Sequence, residues 1–576
     1  MPAAPGIAVG PAWRHDQARG ATEPLLDLRA AADRAAAELT ALAERVRSAG
    51  RGDDAEIFEA QAVMALDPML LDDAEERVAA AGGAAGAGPD ATAAAVEAAA
   101  RELAGTLAAL PDELLAARAA DVRDVGGRIA RIVAGRSLVL PDRPSIALAE
   151  DLPPSVTAEI PEGLLLGIAL ERGSATSHAA ILARGLGIPA VVAVPGLLSG
   201  IGSEPEVVAI DGAAGRVLFD PTPAERSALE AAAAAHRRAA ESAAALAGRP
   251  GETADGHHVP LLANIGRPED ADRALAAGAE GVGLFRTEFL FVGRSDAPSE
   301  DEQVTAYAAV LRAFGDRPVV IRLIDVGGDK PVPYLHLAPE ANPFLGVRGV
   351  RLGWADRALL VRQVRAIARA GAAAGVAPGT RPHVMAPMVS TIEDVELLRS
   401  MVDEALAELD SRDLRRGIAR AAGLTVGIMI EVPSAALMAA ELGRRVDFFS
   451  IGSNDLTQYV MAMDRTHPGL AGVADALHPA VLRAIKATIE GAALSGIPVA
   501  VCGELAGDPG GALLLVGLGI AELSMDAGRI GDVRLALHGH TLGELQALAV
   551  EALTCETAAQ VRALAERALA APPATS

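Results

Sequence analysis

The stretch TVGIMIEVP, residues 425–433, sets a mostly apolar run directly before a glutamate, Glu431. Short apolar runs of this kind are typical of strands that are covered on both faces, as in parallel sheets. Eight such runs lie between residues 260 and 527, and several are followed by clear helical patterns. They are PLLANIG (260–266), GVGLFRTE (281–288), VVIRLIDVGGDK (319–330), HVMAPMVS (383–390), TVGIMIEVP (425–433), FFSIGSNDL (448–456), IPVAVCGELAGD (497–508) and ELSMDA (522–527). Eight strand–helix units over this length predict a (β/α)8 barrel of the TIM type.

The chain before these strands follows a different pattern. Residues 27–135 read almost entirely as helix, with apolar positions at helical spacing, which predicts a helical bundle. Strand-like runs lie on both sides of it: GIAVGPAW before, and SLVLP, SIALAE, LLLGIAL, AVVAVPG and EVVAIDGAAGRVLFDP after. We therefore expect a multidomain α/β protein. Its predicted parts are an α/β domain (1–26 and 136–220), an inserted helical bundle (27–135), an alanine-rich linker helix (221–250) and the barrel (251–576).

Composition and charge narrow the class of protein. The 576 residues exceed the length of one ordinary domain, and a net charge of −24 argues against nucleic acid or an anionic membrane as the main partner. An acidic surface suits a basic protein partner instead. No apolar run is long enough to cross a membrane, and the N-terminal residues do not read as a signal peptide. Two cysteines, Cys502 and Cys555, make no disulfide framework, so a cytoplasmic protein is expected.

Charged and polar side chains collect where the predicted strands end, which is where barrels of this type hold their catalytic groups. Arginine offers forked contacts to phosphate or carboxylate, and carboxylates are ligands that Mg²⁺ prefers. Any one of these residues could be a simple ion pair at the barrel rim, but their joint occurrence favours a site for a small phosphorylated acid and a divalent cation. The residues are Arg286, Glu288, Arg322, Asp325, Asp329, Lys330, Glu431, Asn454, Asp455, Arg465, Cys502 and Glu504, with Arg348 and Arg351 adding positive charge.

Two of the candidate residues have competing interpretations. Cys502 could be an inert buried thiol, but its position at a strand end favours an acid/base role. A lone histidine is more often structural than catalytic. In GSATSHAAILARGLG, however, Thr176 and Ser177 can cap a helix that starts at His178, and the helix dipole favours an anion there. His178 can therefore act as a nucleophile that carries a phosphoryl group.

At this point the sequence resembles enzyme I of the bacterial sugar phosphotransferase system, the family of phosphoenolpyruvate-protein phosphotransferases. The resemblance covers nearly the whole chain. It implies that phosphoenolpyruvate and Mg²⁺ bind the barrel, and that His178 takes the phosphoryl group on Nε2 and passes it to a histidine of the phosphocarrier HPr. It also implies that HPr docks on the inserted helices, that the histidine domain swivels, and that the barrel forms a homodimer. The motifs that carry it are GIAVGPA, AEIFEAQAVMALD, VRDVGGRIARIVAG, TSHAAILARGLGIPAVV, GLFRTEFLF, DVGGDKP, NPFLGVRG, GIMIEVPSAA, FFSIGSNDLTQY and CGELAGD.

The resemblance also implies roles for individual residues. Glu431 and Asp455 resemble the Mg²⁺ ligands, Cys502 the acid that protonates the enolate to give pyruvate, and Thr157 a threonine that holds the histidine ring. The residues implied to bind phosphoenolpyruvate are Arg286, Arg322, Arg465, Asn454, Asp455 and Lys330.

One departure from the family pattern concerns the loop before His178. The usual loop holds two glycines and an arginine, whereas this chain has Gly173, Ser174 and Ala175. We expect Arg172 to replace the missing arginine.

Several alternatives share parts of this pattern. Pyruvate phosphate dikinase and phosphoenolpyruvate synthase also need an ATP-binding domain, for which the residues before the barrel leave no room, and a nitrogen-related paralogue would carry a sensory domain before GIAVGPA. The same chemistry could serve a different phosphocarrier, such as one for dihydroxyacetone phosphorylation. A non-catalytic regulator that senses phosphorylation would be expected to have lost His178 or a metal ligand, and both are present.

Overall fold

The computed structural model divides the chain into two compact units, residues 1–238 and 239–576. The structure describes residues 2–15, 23–48, 52–80, 88–109, 113–161, 163–173, 177–199, 206–292, 294–327, 332–335, 337–338, 340–375, 382–416, 423–464, 467, 470 and 473–571. Of these, the side chains of 52–54, 113–117, 178, 181–182, 185, 236, 239–240, 333 and 410–416 lie outside the description. Within the described parts, no helix is long and apolar enough to cross a membrane.

The first unit contains a bundle of long helices whose core is built mostly from alanine, leucine and valine. Small residues let the helices approach closely. On α5, for example, Gly126 lies so near Ala100 of α4 that a Cβ at Gly126 would come within 2.2 Å of the Ala100 side chain. The helices are α1 (Leu28–Ser48), α2 (Gly52–Met64), α3 (Pro68–Ala80), α4 (Pro89–Ala108) and α5 (Glu113–Val133).

Around the bundle in sequence, the strands of the first unit form two sheets. The five-stranded sheet has the order β1-β6-β5-β4-β3, with β1 antiparallel to β6 and the others parallel, and the three-stranded antiparallel sheet has the order β2-β7-β8. Two helices, α6 (Pro154–Glu159) and α7 (His178–Leu186), accompany them. The strands are β1 (Pro2–Ala4), β2 (Ile7–Gly10), β3 (Ala12–Arg14), β4 (Ser145–Ala149), β5 (Leu165–Leu170), β6 (Ala190–Val191), β7 (Val208–Asp211) and β8 (Arg216–Phe219).

The predicted strands of this unit need three corrections. SLVLP, residues 137–141, is not a strand: its side chains are mostly half-buried or exposed, and it ends at Pro141, which has no N–H to donate to a ladder. AVVAVPG contributes only Ala190–Val191 to a sheet, and the strand Pro2–Ala4 was not predicted. The predicted linker helix is α8 (Pro223–Ala245), and the boundary between the two units falls within it.

The second unit is a closed barrel of eight parallel strands, and each predicted run supplies one of them in the predicted order. The predicted fold class, a mixed α/β protein with a C-terminal (β/α)8 barrel, is therefore confirmed. The strands are β9 (Leu261–Ile265), β10 (Val282–Phe285), β11 (Val319–Arg322), β12 (His383–Ala386), β13 (Thr425–Ile430), β14 (Phe448–Ile451), β15 (Val499–Val501) and β16 (Glu522–Asp526).

Helices cover the barrel, and its inside is filled by side chains. Leu284, Val320, Met385, Met429, Phe448 and Cys502 pack together as a buried cluster that the strands surround. The filled interior leaves polar groups to the strand ends, as in other barrels of this type. The helices are α9 (Asp270–Ala276), α10 (Glu300–Phe314), α11 (Leu352–Ala355), α12 (Arg357–Ala374), α13 (Ile392–Arg416), α14 (Pro433–Leu437), α15 (Ala439–Gly443), α16 (Ser453–Met461), α17 (Pro479–Ala493), α18 (Pro509–Leu518), α19 (Ile530–His538), α20 (Leu542–Thr554) and α21 (Ala558–Ala570).

Candidate active site

His178 is the first residue of α7, so it lies at the helix end where backbone N–H groups have no intrahelical partner. Ser177 occupies the N-cap position, as predicted, but its hydroxyl makes no capping bond. That hydroxyl is buried next to Gly173, where an added Cβ would lie 3.4 Å from Ser177 Oγ. Gly187 ends the helix in a left-handed conformation with φ of 68°. Thr176 and the side chain of His178 lie outside the described residues.

Thr157 lies on α6, which neighbours α7. The Thr157 side chain is buried, and its hydroxyl donates to the carbonyl of Pro153 at 3.1 Å. The same short helix is anchored to α5, because the Ser155 hydroxyl donates to Asp124 Oδ1 at 2.7 Å and Arg128 pairs with Glu159. Burial raises the pKa of Asp124, and the hydrogen bonds from Ser155 oppose that shift. These contacts hold α6 between the helical bundle and α7.

Arg172, the expected replacement for a family arginine, is paired in this structure. Its Nη2 lies 2.8 Å from Oε1 of Glu150, and both side chains are largely exposed. An exposed pair of this kind is held weakly, so Arg172 can exchange partners.

At the carboxyl ends of the barrel strands, arginines and carboxylates form a buried chain of contacts. Arg322 at the end of β11 donates from Nη2 to Glu288 Oε1 at 2.7 Å, and the same oxygen accepts the backbone N–H of Asp325 at 3.0 Å. Arg348 donates from Nε to Asp325 Oδ1 at 3.1 Å and from Nη2 to Asp325 Oδ2 at 2.7 Å, and its Nη1 lies 3.6 Å from Asp455 Oδ1. Glu288, Asp325 and Asp455 are therefore held in fixed relation to the two arginines.

The strand β11 ends at Arg322, and beyond that point buried side chains hydrogen-bond the backbone. Thr287 donates its hydroxyl to the Arg322 carbonyl at 2.9 Å, and Gln363 of α12 accepts the N–H of Ile324 at 3.0 Å. Gln363 Nε2 also donates to Thr287 Oγ1 at 3.0 Å. These bonds replace the ladder partners that the backbone loses beyond the strand, so Arg322 is held rigidly at the mouth.

Glu431 follows β13 and is almost completely buried. Its Oε1 accepts the N–H of Met388 at 2.6 Å, whereas Oε2 is buried without a hydrogen-bond partner in the structure as described. The pKa of Glu431 is raised to about 8, first because of burial and then because Asp455 and Asp325 add negative charge nearby, while Arg322 opposes the shift. The site around Glu431 thus has too little positive charge for its carboxylates.

A divalent cation would satisfy Glu431 and Asp455. Both side chains are oxygen ligands of the kind that hard cations prefer. A buried carboxylate oxygen without a hydrogen-bond partner, such as Oε2 of Glu431, is available to coordinate an ion. The described residues contain no group of three or more acidic, histidine or cysteine side chains arranged to hold a metal. Two protein carboxylates would leave the remaining positions to water and substrate oxygens, as is usual for Mg²⁺.

Arg286, after β10, differs from the other arginines of the mouth. Its side chain reaches solvent and makes no hydrogen bond or ion pair with the residues that the structure describes. Its pKa is lowered, first because the surrounding protein desolvates the guanidinium and second because Arg322 lies nearby. Arg286 is therefore a cation that is available to an incoming anion.

The other strand-end candidates lie at the same mouth. Asn454 and Glu504 bond reciprocally: Asn454 Nδ2 donates to Glu504 Oε1 at 3.1 Å, and the N–H of Glu504 donates to Asn454 Oδ1 at 2.9 Å. Cys502 is buried, and its thiol donates to the Ile451 carbonyl at 3.6 Å. The pKa of Cys502 is raised to about 11, mainly by burial. Cys555 lies half-buried after the last residue of α20, packs against the barrel core and donates its thiol to the Glu551 carbonyl at 3.7 Å.

The structure thus brings together most of the predicted barrel residues and adds one. Arg322, Glu431, Asp455, Arg286, Asn454 and Cys502 all lie at strand ends of one barrel. Lys330 and Arg465 lie outside the described residues. The addition is Arg348, which the sequence suggested only as extra positive charge; its contact with Asp325 joins residues 23 positions apart in sequence and could not be deduced from spacing.

Comparisons with known proteins agree with this picture. Three family descriptions of phosphoenolpyruvate-utilising enzymes match the chain: the N-terminal domain over residues 1–118, the mobile domain over 141–215 and the phosphoenolpyruvate-binding domain over 240–541. The chain is 37% identical to the phosphoenolpyruvate-protein phosphotransferase of Geobacillus stearothermophilus, over 98% of this chain and 97% of that protein.

Two longer relatives also match. A multiphosphoryl transfer protein of Xanthomonas campestris is 44% identical over 98% of this chain, and one of Rhodobacter capsulatus is 45% identical over 80% of it. The chain spans 66% and 54% of the lengths of these two relatives. The resemblance inferred from the sequence motifs is confirmed, and the chain belongs to the phosphoenolpyruvate-protein phosphotransferase family of phosphoenolpyruvate-utilising enzymes.

Proposed function

We propose that this protein transfers the phosphoryl group of phosphoenolpyruvate to His178 and then to a histidine of the phosphocarrier HPr, as the first step of sugar uptake in the cytoplasm. The observation that carries the proposal is the unbalanced charge at the barrel mouth. Arg286 is a cation without a described partner, and Glu431 keeps a buried oxygen without one. A substrate that is a multiply charged anion, bound together with a cation, satisfies both groups.

In the first half of the reaction, the arginines hold phosphoenolpyruvate and neutralise its charge. A ring nitrogen of His178, Nε2 by family resemblance, attacks phosphorus, the N–P bond forms, and the P–O bond to the enol oxygen breaks. Negative charge moves onto the departing enolate, where Arg286 and Arg322 stabilise it, together with Arg465 and Lys330. Asn454 and Asp455 help to orient the substrate, and Thr157 holds the imidazole.

In the second half, the enolate is protonated on its methylene carbon to give pyruvate. The Cys502 thiol is suited to supply that proton, because its pKa of about 11 keeps it in the protonated form at neutral pH. The resulting thiolate regains a proton from solvent before the next turnover.

We propose Mg²⁺ as the cation, held by Glu431 and Asp455. When bound, such an ion acts as a Lewis acid on phosphoryl and carboxylate oxygens. Replacing Glu431 by Gln removes a ligand charge but keeps the shape of the side chain, so we expect phosphorylation by phosphoenolpyruvate to fall at least about 100-fold, the upper end of what even outer-shell partners of metals contribute. The Mg²⁺ concentration needed for half-maximal rate should rise as well.

An exposed apolar patch on the helical bundle supports docking of a protein carrier. Val63 on α2, Leu66 in the following turn and Met69 on α3 are 74%, 46% and 70% exposed, and α3 continues with Asp72 and Asp73, which pair with Arg29 and Arg77. Apolar side chains ringed by charge are typical of protein interfaces. We propose that HPr docks here with a basic rim.

Exposed apolar side chains on the barrel support the proposed homodimer. Leu345 and Trp354 are 64% and 65% exposed, and Arg351 lies between them in sequence and donates to the Leu345 carbonyl.

The test is transfer of label from ³²P-phosphoenolpyruvate to the purified protein with Mg²⁺, comparing wild type, His178→Ala and Glu431→Gln. Acid-labile label on the wild type that is absent from His178→Ala and moves to added HPr is the expected result. Label that stays on the protein when HPr is added would point to another phosphocarrier. A wild type that takes no label would have a binding or regulatory role instead.

A further inference from the structure

Asn264, on β9, makes a hydrogen bond that joins two distant parts of the barrel. Its Nδ2 donates to the backbone carbonyl of Cys502 at 2.9 Å, across 238 residues of sequence. Cys502 lies one residue beyond β15, where the ladder between strands has ended. The carbonyl therefore takes a side-chain donor in place of a backbone N–H.

The orientation of the Asn264 amide is determined by its neighbours. Nδ2 faces two carbonyls, that of Cys502 and, at 3.5 Å, that of Ser524, while Oδ1 accepts the Ser524 hydroxyl at 2.6 Å. Because carbonyl oxygens can only accept, the nitrogen must point toward them. The amide thus has a single arrangement that satisfies both of its ends.

Ser524 makes this arrangement rigid. It lies on β16, between β9 and β15, and is completely buried. Gly283 on β10 provides the space: an added Cβ there would lie 2.5 Å from both Cβ and Oγ of Ser524. The Asn264 side chain is therefore hydrogen-bonded both to Ser524 of the neighbouring strand β16 and to Cys502, which follows the next strand, β15.

The hydrogen bond from Asn264 lies at the candidate active site, because the residue that accepts it, Cys502, also carries the thiol. Cys502 completes the buried layer inside the barrel, and Glu504, two residues later, bonds with Asn454 at the mouth. Asn264 itself is only half-buried. Because both ends of the Asn264 amide are hydrogen-bonded, Asn264 is suited to hold the backbone at Cys502, which bears the proposed proton donor.

We propose that Asn264 is a positioning residue, which together with Ser524 fixes the Cys502 peptide so that the thiol stays directed at the reacting carbon of the enolate. The inference rests on the proposed function of Cys502 as proton donor. It assigns the strand pair β9 and β16, where the barrel closes, a part in the protonation step.

The experiment compares Asn264→Ala and Ser524→Ala with a matched control, Thr488→Val. Thr488 is also completely buried, and its hydroxyl donates one hydrogen bond, to the Ala484 carbonyl at 2.9 Å within α17, which the substitution by Val removes. All variants carry Cys555→Ser, which leaves Cys502 as the single thiol of the chain. The readouts are the rate of Cys502 alkylation by iodoacetamide, the rate of pyruvate formation, the KM for phosphoenolpyruvate and the melting temperature.

We expect Asn264→Ala to alkylate about fivefold faster and to form pyruvate about fivefold to tenfold more slowly, the scale of one lost hydrogen bond, with KM changed less than about twofold. Ser524→Ala should change both rates in the same direction by less, and Thr488→Val should change neither. Unchanged alkylation and turnover in both variants would overturn the inference. A raised KM with unchanged turnover would also overturn it, because Asn264 would then bind substrate.

The alkylation rate separates this inference from the proposed function. If the wild type takes no phosphoryl group from phosphoenolpyruvate, the proposed function fails, yet faster alkylation in Asn264→Ala still shows that Asn264 holds the thiol. If Asn264→Ala melts far below the wild type, Ser524→Ala decides the question, because it keeps the Asn264 bond to Cys502 and weakens only its support.

Discussion

At the barrel mouth Arg322 and Arg348 are 6% and 5% exposed and each is bonded to a carboxylate, whereas beside α7 the pair of Arg172 and Glu150 is largely exposed. Buried charges keep their geometry because an unpaired partner would carry a large desolvation cost. Exposed pairs change partners at little cost. The proposed substrate site is therefore ordered by its own ion pairs, while the region around His178 depends on a helix end and on backbone groups.

The largest expected effect comes from breaking the buried chain at Arg348. Arg348→Met removes the two hydrogen bonds that Arg348 donates to the buried carboxylate of Asp325, whereas the ion pair of Asp325 with Arg322 Nη1 at 3.5 Å remains. We therefore expect the free energy of unfolding of the barrel to fall by about 3 kcal/mol, the lower end of the range for breaking a buried ion pair. The matched control is Arg357→Ala, whose pair with Glu404 is 38% and 42% exposed, with an expected loss below about 1 kcal/mol. Urea denaturation measures both. Equal losses would show that the mouth is no more rigid than the surface.

The second prediction concerns the pH dependence of the mouth. Because the Cys502 pKa is raised to about 11, its thiolate at pH 9 should be on the order of 10 to 100 times scarcer than that of an ordinary thiol with a pKa of about 8.5. In the Cys555→Ser protein, the alkylation rate should keep rising about tenfold per pH unit between pH 8 and 10. A plateau near pH 9 would contradict the prediction.

The same shift affects stability. Cys502 ionises at a higher pH in the folded protein than in the unfolded chain, so its burial as a neutral thiol contributes to the free energy of unfolding. That contribution is complete at pH values below the ordinary thiol pKa. The contribution should be lost as the pH rises toward about 11. Replacing Cys502 by Ser should weaken that alkaline loss in urea denaturation at pH 8 and pH 10.

A third prediction tests how the first unit is held together, since its helices pack through small side chains. Gly126→Ala places a methyl group 2.2 Å from the Ala100 side chain and should cost about 1 to 3 kcal/mol through overpacking. Gly127→Ala, one residue later on the same helix, meets nothing within 4 Å and should stabilise by about 0.5 to 1 kcal/mol. The melting temperatures of the two variants should move in opposite directions; a Gly126→Ala protein that melts no lower than the wild type would mean that α4 and α5 separate easily.

The smallest expected effect is that of Arg172→Ala. We expect the lifetime of phosphorylated His178 to shorten about twofold, the scale of one exposed charge interaction, because Arg172 leaves Glu150 for the phosphoryl group. The rate of dephosphorylation after removal of free phosphoenolpyruvate measures it, with Arg226→Ala on α8 as an exposed control. An unchanged lifetime would rule out Arg172 as the replacement for the missing family arginine.

Much of the barrel could be predicted from sequence because strand runs and helix spacing are local patterns. All eight runs form strands in the predicted order, and the strand-end rule placed Glu431, Asp455 and Cys502 at one mouth. Prediction was weaker in the first unit, where SLVLP has strand-like composition but no ladder partner. Whether a short apolar run joins a sheet depends on neighbours that local pattern does not contain.

The sequence alone therefore determined the class of fold and the family, and it supplied the residues that we propose carry the chemistry, because hydrophobic period and motif are properties of neighbouring residues. Only the tertiary structure decided how those residues are paired. The hydrogen bonds from Arg348 to Asp325 and from Asn264 to Cys502 join residues from different parts of the chain, and Glu431 keeps a buried oxygen without a hydrogen-bond partner in the described structure. Their burial and distance arise only when the strands close into a barrel, and these two quantities set the charge and the rigidity of the site.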